Sequence, residues 1–319
     1  MDERQFVAWL QGKFPFRRGL GIGDDASAVR LGGSFQLVST DILIEDVHFR
    51  LPDLAPADLA QKSLAVNISD IAAMGGQAQY FYLDLGFPDR LSPAYLRGFF
   101  SGLARAARRW GVELAGGDYS RSAKMVIAIT IVGQGKKPVL RSGARPGDWI
   151  AVTGPIGGSA LGLRLLLAGE KSSPFVRLHQ RPQPQCKKGL LLAGYARAMI
   201  DLSDGLLLDL SRLLQASGVG AEIDYAKLPV SPGLRRLCRQ KNYPEKELVL
   251  SGGEDYQLLF AISPLQEGRL RKTGMAYHLI GKATSKRCLQ VLEKGRRLKI
   301  SRLGFDHFID AGDKKREKK

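Results

Sequence analysis

Carboxylates recur in this chain inside glycine-rich or apolar stretches, where a soluble domain ordinarily avoids them. Six stretches carry them: Gly21-Ile22-Gly23-Asp24-Asp25, Ser39-Thr40-Asp41, Asn67-Ile68-Ser69-Asp70, Gly116-Gly117-Asp118, Asp201-Leu202-Ser203-Asp204-Gly205 and Ser251-Gly252-Gly253-Glu254-Asp255. Two carboxylates about 4 Å apart repel by roughly 4 kcal/mol at an effective dielectric near 20. If the fold makes these groups converge, a cation must hold them. Mg²⁺ together with phosphate oxygens is the candidate, because Mg²⁺ takes hard oxygen donors and few protein ligands.

Each stretch also has a plainer reading. Gly-Asp pairs favour turns, and the glycines before Asp24 and Asp25 equally let backbone approach a ligand. Asp41 beside Ser39 and Thr40 offers three oxygens at what reads as the end of a strand. Gly116-Gly117-Asp118 reads as a second strand end of the same kind, with glycine open to a phosphate. Ser203 or Asp204 could cap a following helix, but capping needs one acceptor and not two aspartates. Ser63, Asn67 and Asp70 fall at i, i+4 and i+7 on a helix whose other sides are apolar, so this polar stripe faces a cavity or buried partners. His48, after Glu45 and Asp46, is a lone histidine with no Ser/His/Asp or metal-ligand spacing around it. There is no Gly-x-x-x-x-Gly-Lys-Ser/Thr stretch and no kinase-type catalytic loop, so a nucleotide must be held by metals, glycine backbone and arginines such as Arg121 and Arg141.

The elements that must position these residues follow from periodicity and caps. Residues 36–40 read as a strand ending at Asp41. A helix opens at Pro56, runs to Met74 and stops at Gly75-Gly76. Residues 80–85 read as a strand, and Ser92-Pro93 caps a helix that ends at Gly111. Residues 112–114 and 125–132 are further strands, and 143–148 is a turn-rich junction. The second half begins with a strand at 149–153. A glycine-rich turn leads to a helix from Ser159 to about Ala168, and 171–184 reads as a proline-rich loop. Asp204 leads a helix closed by Gly218, and strands follow at 221–223 and 256–262. Strands and helices without regular βαβ alternation indicate α+β in both halves.

The chain's 319 residues, 44% of them hydrophobic, suit two domains with real cores. No apolar run approaches the ~18 residues of a membrane span. The charged N-terminus does not read as a secretory signal. Cys186, Cys238 and Cys288 are far apart, which fits a reducing cytoplasm and no metal spacing. Net charge is +17, and between Arg269 and Arg302 eleven Lys/Arg face the single acid Glu293. No RNA-binding motif or aromatic platform accompanies this charge. It therefore reads as a solvated basic surface with a frayed basic tail at 313–319, not as a nucleic-acid or membrane surface.

In their order along nearly the whole chain, segments 21–26, 39–49, 67–75, 116–121, 141–150, 198–209, 251–260 and 304–308 resemble the thiamine-monophosphate kinases, members of the aminoimidazole-ribonucleotide-synthetase-like (PurM-like) superfamily. The resemblance implies a two-domain α+β fold: an ATP- and Mg²⁺-binding, dimerising N-terminal domain over 1–140 and a PurM-like C-terminal domain over 141–312. It implies that Asp25, Ser39, Thr40, Asp41, Asp70, Asp118, Asp201 and Asp204 coordinate several Mg²⁺ ions, with Asp41, Asp118 and Asp204 central to catalysis. Gly117, Asp118, Arg141 and Ser203 would contact ATP. His48, Glu254 and Phe305 would contact thiamine monophosphate, Phe305 by stacking. It further implies a cytoplasmic homodimer formed through the N-terminal sheets. The chain departs from the family pattern at Ile42, Asp46, Tyr119 and Gly158, none of which is an expected metal ligand.

The implied chemistry suits the residues. Phosphoryl transfer asks for charge neutralisation and in-line positioning more than for covalent help. A phosphate acceptor is already largely deprotonated near neutral pH, so no strong general base is needed. Other members of the superfamily are the competing enzyme reading. A selenophosphate-synthetase-like relative would want a reactive cysteine in an N-terminal loop, and none precedes Cys186. A catalytically degenerate nucleotide-binding relative is the competing non-enzyme reading, and unused clustered carboxylates argue against it.

Overall fold

The computed structural model describes residues 3–300 and 302–305. In chain order the first half holds α1 (Glu3–Lys13), β1 (Gly19–Leu20), β2 (Ser27–Leu31), β3 (Ser34–Ile44), α2 (Pro56–Ala73), β4 (Gln77–Phe87), α3 (Pro93–Trp110), β5 (Glu113–Arg121) and β6 (Val126–Gly135). The second half holds β7 (Trp149–Val152), α4 (Gly158–Leu167), α5 (Pro174–Gln180), α6 (Cys186–Leu192), β8 (Ala198–Asp201), α7 (Leu206–Ser217), β9 (Gly220–Asp224), α8 (Pro232–Lys241) and α9 (Glu245–Leu250). It closes with β10 (Leu258–Ile262), α10 (Pro264–Arg271), β11 (His278–Thr284), β12 (Leu289–Glu293) and β13 (Arg296–Arg297).

Two sheets result. The first runs β1-β2-β3-β6-β4-β5 and the second β13-β12-β9-β11-β7-β10-β8. Most pairs are antiparallel; β4 with β5 and β9 with β12 are parallel. This mixture is what a chain without regular βαβ crossovers builds. The expected division at 140/141 falls in the connection between β6 and β7. The basic tail at 313–319 lies outside the described residues.

Helices α2 and α3 cover one face of the first sheet through Leu59, Leu64, Ile68, Ile71, Phe99 and Leu103, packed on Leu37, Phe81, Leu83, Ile127 and Ile129. Ser92 Oγ accepts from the Tyr95 N–H and Gly111 ends α3 in the left-handed region, as the caps foretold. In the second half a larger core lies on one face of the sheet. On the other face Ala151, Met199, Leu258, Phe260 and Ile262 pack with Ala73 at the end of α2. Helix α2 is therefore the pivot: it is buried over most of its length and touches both sheets.

Three expectations change. Residue Asp41 is not at a strand end, because β3 continues to Ile44, paired throughout with β6. Gly116–Asp118 likewise lies inside β5, held in register by β4. Residues 171–184 are not a loop throughout: Ser173 accepts from the Phe175 N–H and starts α5. The eleven basic residues of 269–302 are all exposed.

Candidate active site

The first sheet, α2 and the end of β8 bring the carboxylates together. Ligand oxygens of Asp25, Asp70 and Asp201 lie within 4.8 Å of one another. The strand pleat puts Ser39 and Asp41 on the α2 side of β3. Ser39 Oγ donates to Asp70 Oδ2 at 2.5 Å and lies 3.0 Å from the Asp25 carbonyl. The Asp41 N–H donates to Asn67 Oδ1 at 3.2 Å. So Asn67 and Asp70 of the predicted stripe do face this cluster. Ser63 does not, because its hydroxyl donates to the Leu59 carbonyl of its own helix at 2.7 Å. One residue round from Asp70, Ser69 Oγ donates to Asp201 Oδ2 at 2.6 Å. Helix α2 thus grips both halves of the cluster.

Among the described residues, two arginines set side-chain cations against these acids. Arg141 Nη2 and Nε lie 2.6 and 3.2 Å from Asp25 Oδ1, and the Arg141 backbone N–H lies 3.0 Å from Asp24 Oδ1. Arg212 Nη1 reaches Asp204 Oδ2 at 2.5 Å and Asp209 Oδ1 at 2.9 Å. Burial, then the neighbouring Asp25, pushes Asp24 up to about 7. Burial, then Asp204 and Asp25, pushes Asp41 up to about 6. Asp70 and Asp201 are raised well above the carboxylate range, first by burial and then by their neighbours. Asp25 Oδ2 is buried and has no hydrogen-bond partner. An orphaned carboxylate oxygen amid acids that resist ionising together is the arrangement a hard divalent cation completes.

Asp209 is the residue that motif reading missed. Its Oδ2 accepts from the N–H groups of Ser203, Asp204 and Gly205, each at 3.1 Å, and it is fully buried. Helix α7 has Gly205 at its N-cap, without a side-chain cap bond. Neither Ser203 nor Asp204 caps it, correcting the expectation, and Asp204 is left to face Arg212. The signal was an aspartate in the first turn, where an acid can reach back to free N–H groups. Asp255 plays a similar part for α4, accepting from the N–H groups of Gly157 at 2.5 Å and Ser159 at 3.1 Å.

Two of the residues expected on the substrate side, Phe305 and Glu254, lie around this core. The Phe305 N–H donates to the Asp204 carbonyl at 3.0 Å, and Ser251 Oγ donates to the Arg302 carbonyl at 2.6 Å. A side chain at Gly304 would meet the Asp204 carbonyl at 2.5 Å. Residues 302–305 therefore lie across the loop of Asp204, and Phe305 is carried to the cluster's edge. Phe308 lies outside the described residues. Glu254 sits 2.8 Å from Lys62 Nζ and 3.0 Å from His179 Nδ1. A fully buried lysine in an apolar helix was the overlooked sign of this pair.

Thr40, Gly117, Asp118 and His48 are not brought to the cluster. Thr40 is on the opposite face of β3, where Thr130 Oγ1 donates to its hydroxyl at 3.2 Å. Asp118 is exposed on the edge strand, three strands from Ile42 in the row Asp118–Asp84–Ala128–Ile42, roughly 14 Å away at ~4.8 Å per strand. The space at Gly117, φ 148°, is taken by the Leu83 carbonyl, which a Cβ would meet at 1.8 Å. His48 is in the turn after β3, where its Nδ1 accepts from the Ile44 N–H at 3.0 Å. Its proton is thereby assigned to Nε2. Asp46, a departure from the family pattern, pairs with Lys124 at 3.1 Å.

Comparison with known proteins gives the same grouping. Residues 23–134 match the model of the AIR synthase related protein N-terminal domain, and 145–292 that of the C-terminal domain. The thiamine-monophosphate kinase of Escherichia coli K12 is 40% identical over 304 residues, covering 91% of this chain and 92% of that one. That of Bacillus subtilis is 36% identical over 309 residues, covering 91% and 93%. The solved structure of AaThiL complexed with AMPPCP and TMP superposes with a TM-score of 0.87 at 33% identity, over 96% of this chain and 97% of that one. By both domain models and by these relatives, the chain belongs to the AIR synthase related family and, within it, to the thiamine-monophosphate kinases, with their two-domain α+β fold.

Proposed function

We propose that this enzyme phosphorylates thiamine monophosphate to thiamine diphosphate, using ATP and direct in-line transfer. The observation that carries the reading is the convergence of Asp25, Asp70 and Asp201, with one buried oxygen unpartnered, in a chain of this family. Asp25, Ser39, Asp41, Asp70, Asp201 and Asp204 are the residues that would hold Mg²⁺. Bound there, Mg²⁺ neutralises phosphate charge as it develops in transfer. Arg141 turns from Asp25 toward the nucleotide's phosphates, and Ser203 offers its hydroxyl beside them. His48 donates from Nε2 to the acceptor's phosphate, and Phe305 stacks on its ring. Lys124 offsets the charge of Asp46 near that phosphate.

The chain acts as a homodimer on this reading. Ile42 and Tyr82 are half exposed on the face of the first sheet opposite α2 and α3. Thr40 lies on that same face and Asp118 on the adjoining edge, so a second copy seated there would enclose them with the nucleotide. Sedimentation of wild type and of Tyr82→Asp tests this: the variant should be monomeric and inactive, and a monomeric wild type refutes it. Among the described residues no helix is long and apolar enough to cross a membrane. The three free cysteines fit our placement of the enzyme in the cytoplasm.

The deciding experiment incubates the protein with ATP, MgCl₂ and thiamine monophosphate and follows thiamine diphosphate by chromatography. Stoichiometric product with ADP is expected. ATP binding without product would instead indicate a degenerate relative.

A further inference from the structure

A buried polar chain lies beyond the carboxylate cluster: Lys62 of α2, Glu254, His179 of α5 and Ser159 of α4. The Lys62 side chain is 1% exposed, and Glu254 Oε1 is 2.8 Å from its Nζ. Glu254 Oε2 is 3.0 Å from His179 Nδ1, which is also 3.1 Å from Ser159 Oγ. The Glu254 side chain is 28% exposed, and Lys62 and His179 take one lone pair on each of its oxygens, which leaves acceptor capacity on both. Its backbone is held in the left-handed region, φ 62°, with its N–H donated to the Ser203 carbonyl at 2.7 Å. Backbone of this kind persists only where the surroundings over-determine it, and it clusters at functional sites.

The charge arithmetic decides what this carboxylate can recognise. Burial raises the pKa of Glu254, but Lys62 and His179 outweigh it and hold the group ionised. Burial and Lys62 lower the pKa of His179, so the imidazole is neutral. The carboxylate's single negative charge is therefore already met by one ammonium. It has little net attraction left for a second cation. What remains is unused lone-pair capacity on a carboxylate whose direction is fixed by its two partners, which suits an N–H donor.

We propose that the Lys62–Glu254–His179 triad makes Glu254 a directional hydrogen-bond acceptor for the amino group on the acceptor's uncharged pyrimidine, not a counter-ion for its cationic thiazolium. Lys62 and His179 are positioning residues that fix the carboxylate's charge state and aim. Because Lys62 is on the helix that carries Asn67, Ser69 and Asp70, acceptor recognition and the carboxylate cluster share one rigid element. This inference rests on the acceptor assigned above.

The test compares three acceptors on the full chain with saturating ATP and MgCl₂: thiamine monophosphate, oxythiamine monophosphate (a carbonyl in place of the amino group) and an analogue with an uncharged thiophene in place of the thiazolium. Wild type should lose about tenfold or more in kcat/KM on the amino-to-carbonyl change, the scale of one hydrogen bond to a charged group. In Lys62→Met that loss should shrink to less than about threefold, as KM for thiamine monophosphate rises and KM for ATP stays constant. The loss with the thiophene analogue should be equal in both proteins, because it is felt at Phe305. If Lys62→Met does not fold, the double variant Lys62→Met/Glu254→Gln leaves no lone buried charge and gives the same comparison. An unchanged amino-group loss in the variant, or a thiophene loss that disappears in its place, overturns the proposal. A wild type inactive on thiamine monophosphate removes the acceptor reading as well, and is seen before any variant is made.

Discussion

Arg141 Nη2 stands 2.6 Å from Asp25 Oδ1, and so ties the junction between the two sheets to a buried acid of the cluster. The guanidinium occupies the side of Asp25 that faces the junction, and the other oxygen of the same carboxylate is the orphan. On the proposed reading, Arg141 is a stabilising cation without nucleotide and a phosphate ligand with it. Arg141→Ala should lower stability in EDTA by about 3 kcal/mol, the scale for stripping one partner from a buried pair. It should raise KM for ATP more than KM for the acceptor. Initial-rate kinetics and denaturant titration check both, and an unchanged ATP constant would remove Arg141 from the nucleotide site.

Stability without metal should depend on pH with a definite sign. Asp24 and Asp41, at about 7 and about 6, keep protons in the folded state that the unfolded chain, near 3.8, has released. Their stabilisation is complete below about pH 4 and is lost as pH rises through 6 to 7. Glu254 is depressed, so its contribution is full above pH 4.5 and does not enter this window. In EDTA, unfolding free energy should therefore be smaller at pH 8 than at pH 5. With millimolar MgCl₂ the difference should shrink or reverse, because metal displaces those protons. Identical pH slopes with and without Mg²⁺ would show that the cluster does not bind it.

Asp41→Asn and Asp118→Asn should each reduce turnover at least ~10²-fold, the scale for losing one preorganised electrostatic contact. They should differ in the metal-free protein. Asp41→Asn relieves repulsion with Asp204 and Asp25 and raises the melting temperature in EDTA. Asp118 is exposed and apart from the cluster, so its variant should melt like wild type. Near-normal turnover in Asp41→Asn would dismiss the assigned metal site, and near-normal turnover in Asp118→Asn would remove Asp118 from the nucleotide's surroundings.

Asp209→Ala removes the acceptor of three backbone N–H groups and one partner of Arg212. Loss of stability by roughly 3 kcal/mol is expected, since buried donors left unpaired cost about 1–3 kcal/mol. Turnover should fall too, because Asp204 and Ser203 ride on that loop. Asp209→Asn, which keeps an acceptor oxygen, should be milder in stability. Equal losses in the two variants would mean that the carboxylate's charge, not its bonding to the loop, is what counts.

Phe305→Ala should weaken acceptor binding about tenfold while leaving ATP affinity alone, given about 0.5–2 kcal/mol for a cation over an aromatic face. Titration with thiamine monophosphate in the presence of MgCl₂ and a non-hydrolysable ATP analogue measures it. An equal loss for both ligands would mean that the ring only supports the 203–205 loop.

The acids that converge as Asp25, Asp70 and Asp201, and helices α2 and α3 with their ends, were legible along the chain, whereas Asp209 and the start of α7 were not. Local signals suffice there: Pro56 and Ser92-Pro93 start helices, Gly75 and Gly111 end them, and apolar neighbours around Asn67 and Asp70 mark a buried helix. Tertiary structure alone decided which acids meet. Asp25, Asp70 and Asp201 are separated by up to 176 positions and converge because α2 packs against both β3 and β8. It also decided that Thr40 turns away from Asp41, since the extent of β3's pairing with β6, not its composition, determines where the pleat applies. The partners of Lys62 and Asp209 were beyond local reading for the same reason. Lys62 finds its counter-charge across the two halves, and Asp209 finds its donors in a loop whose shape exists only once β8 and α7 are packed.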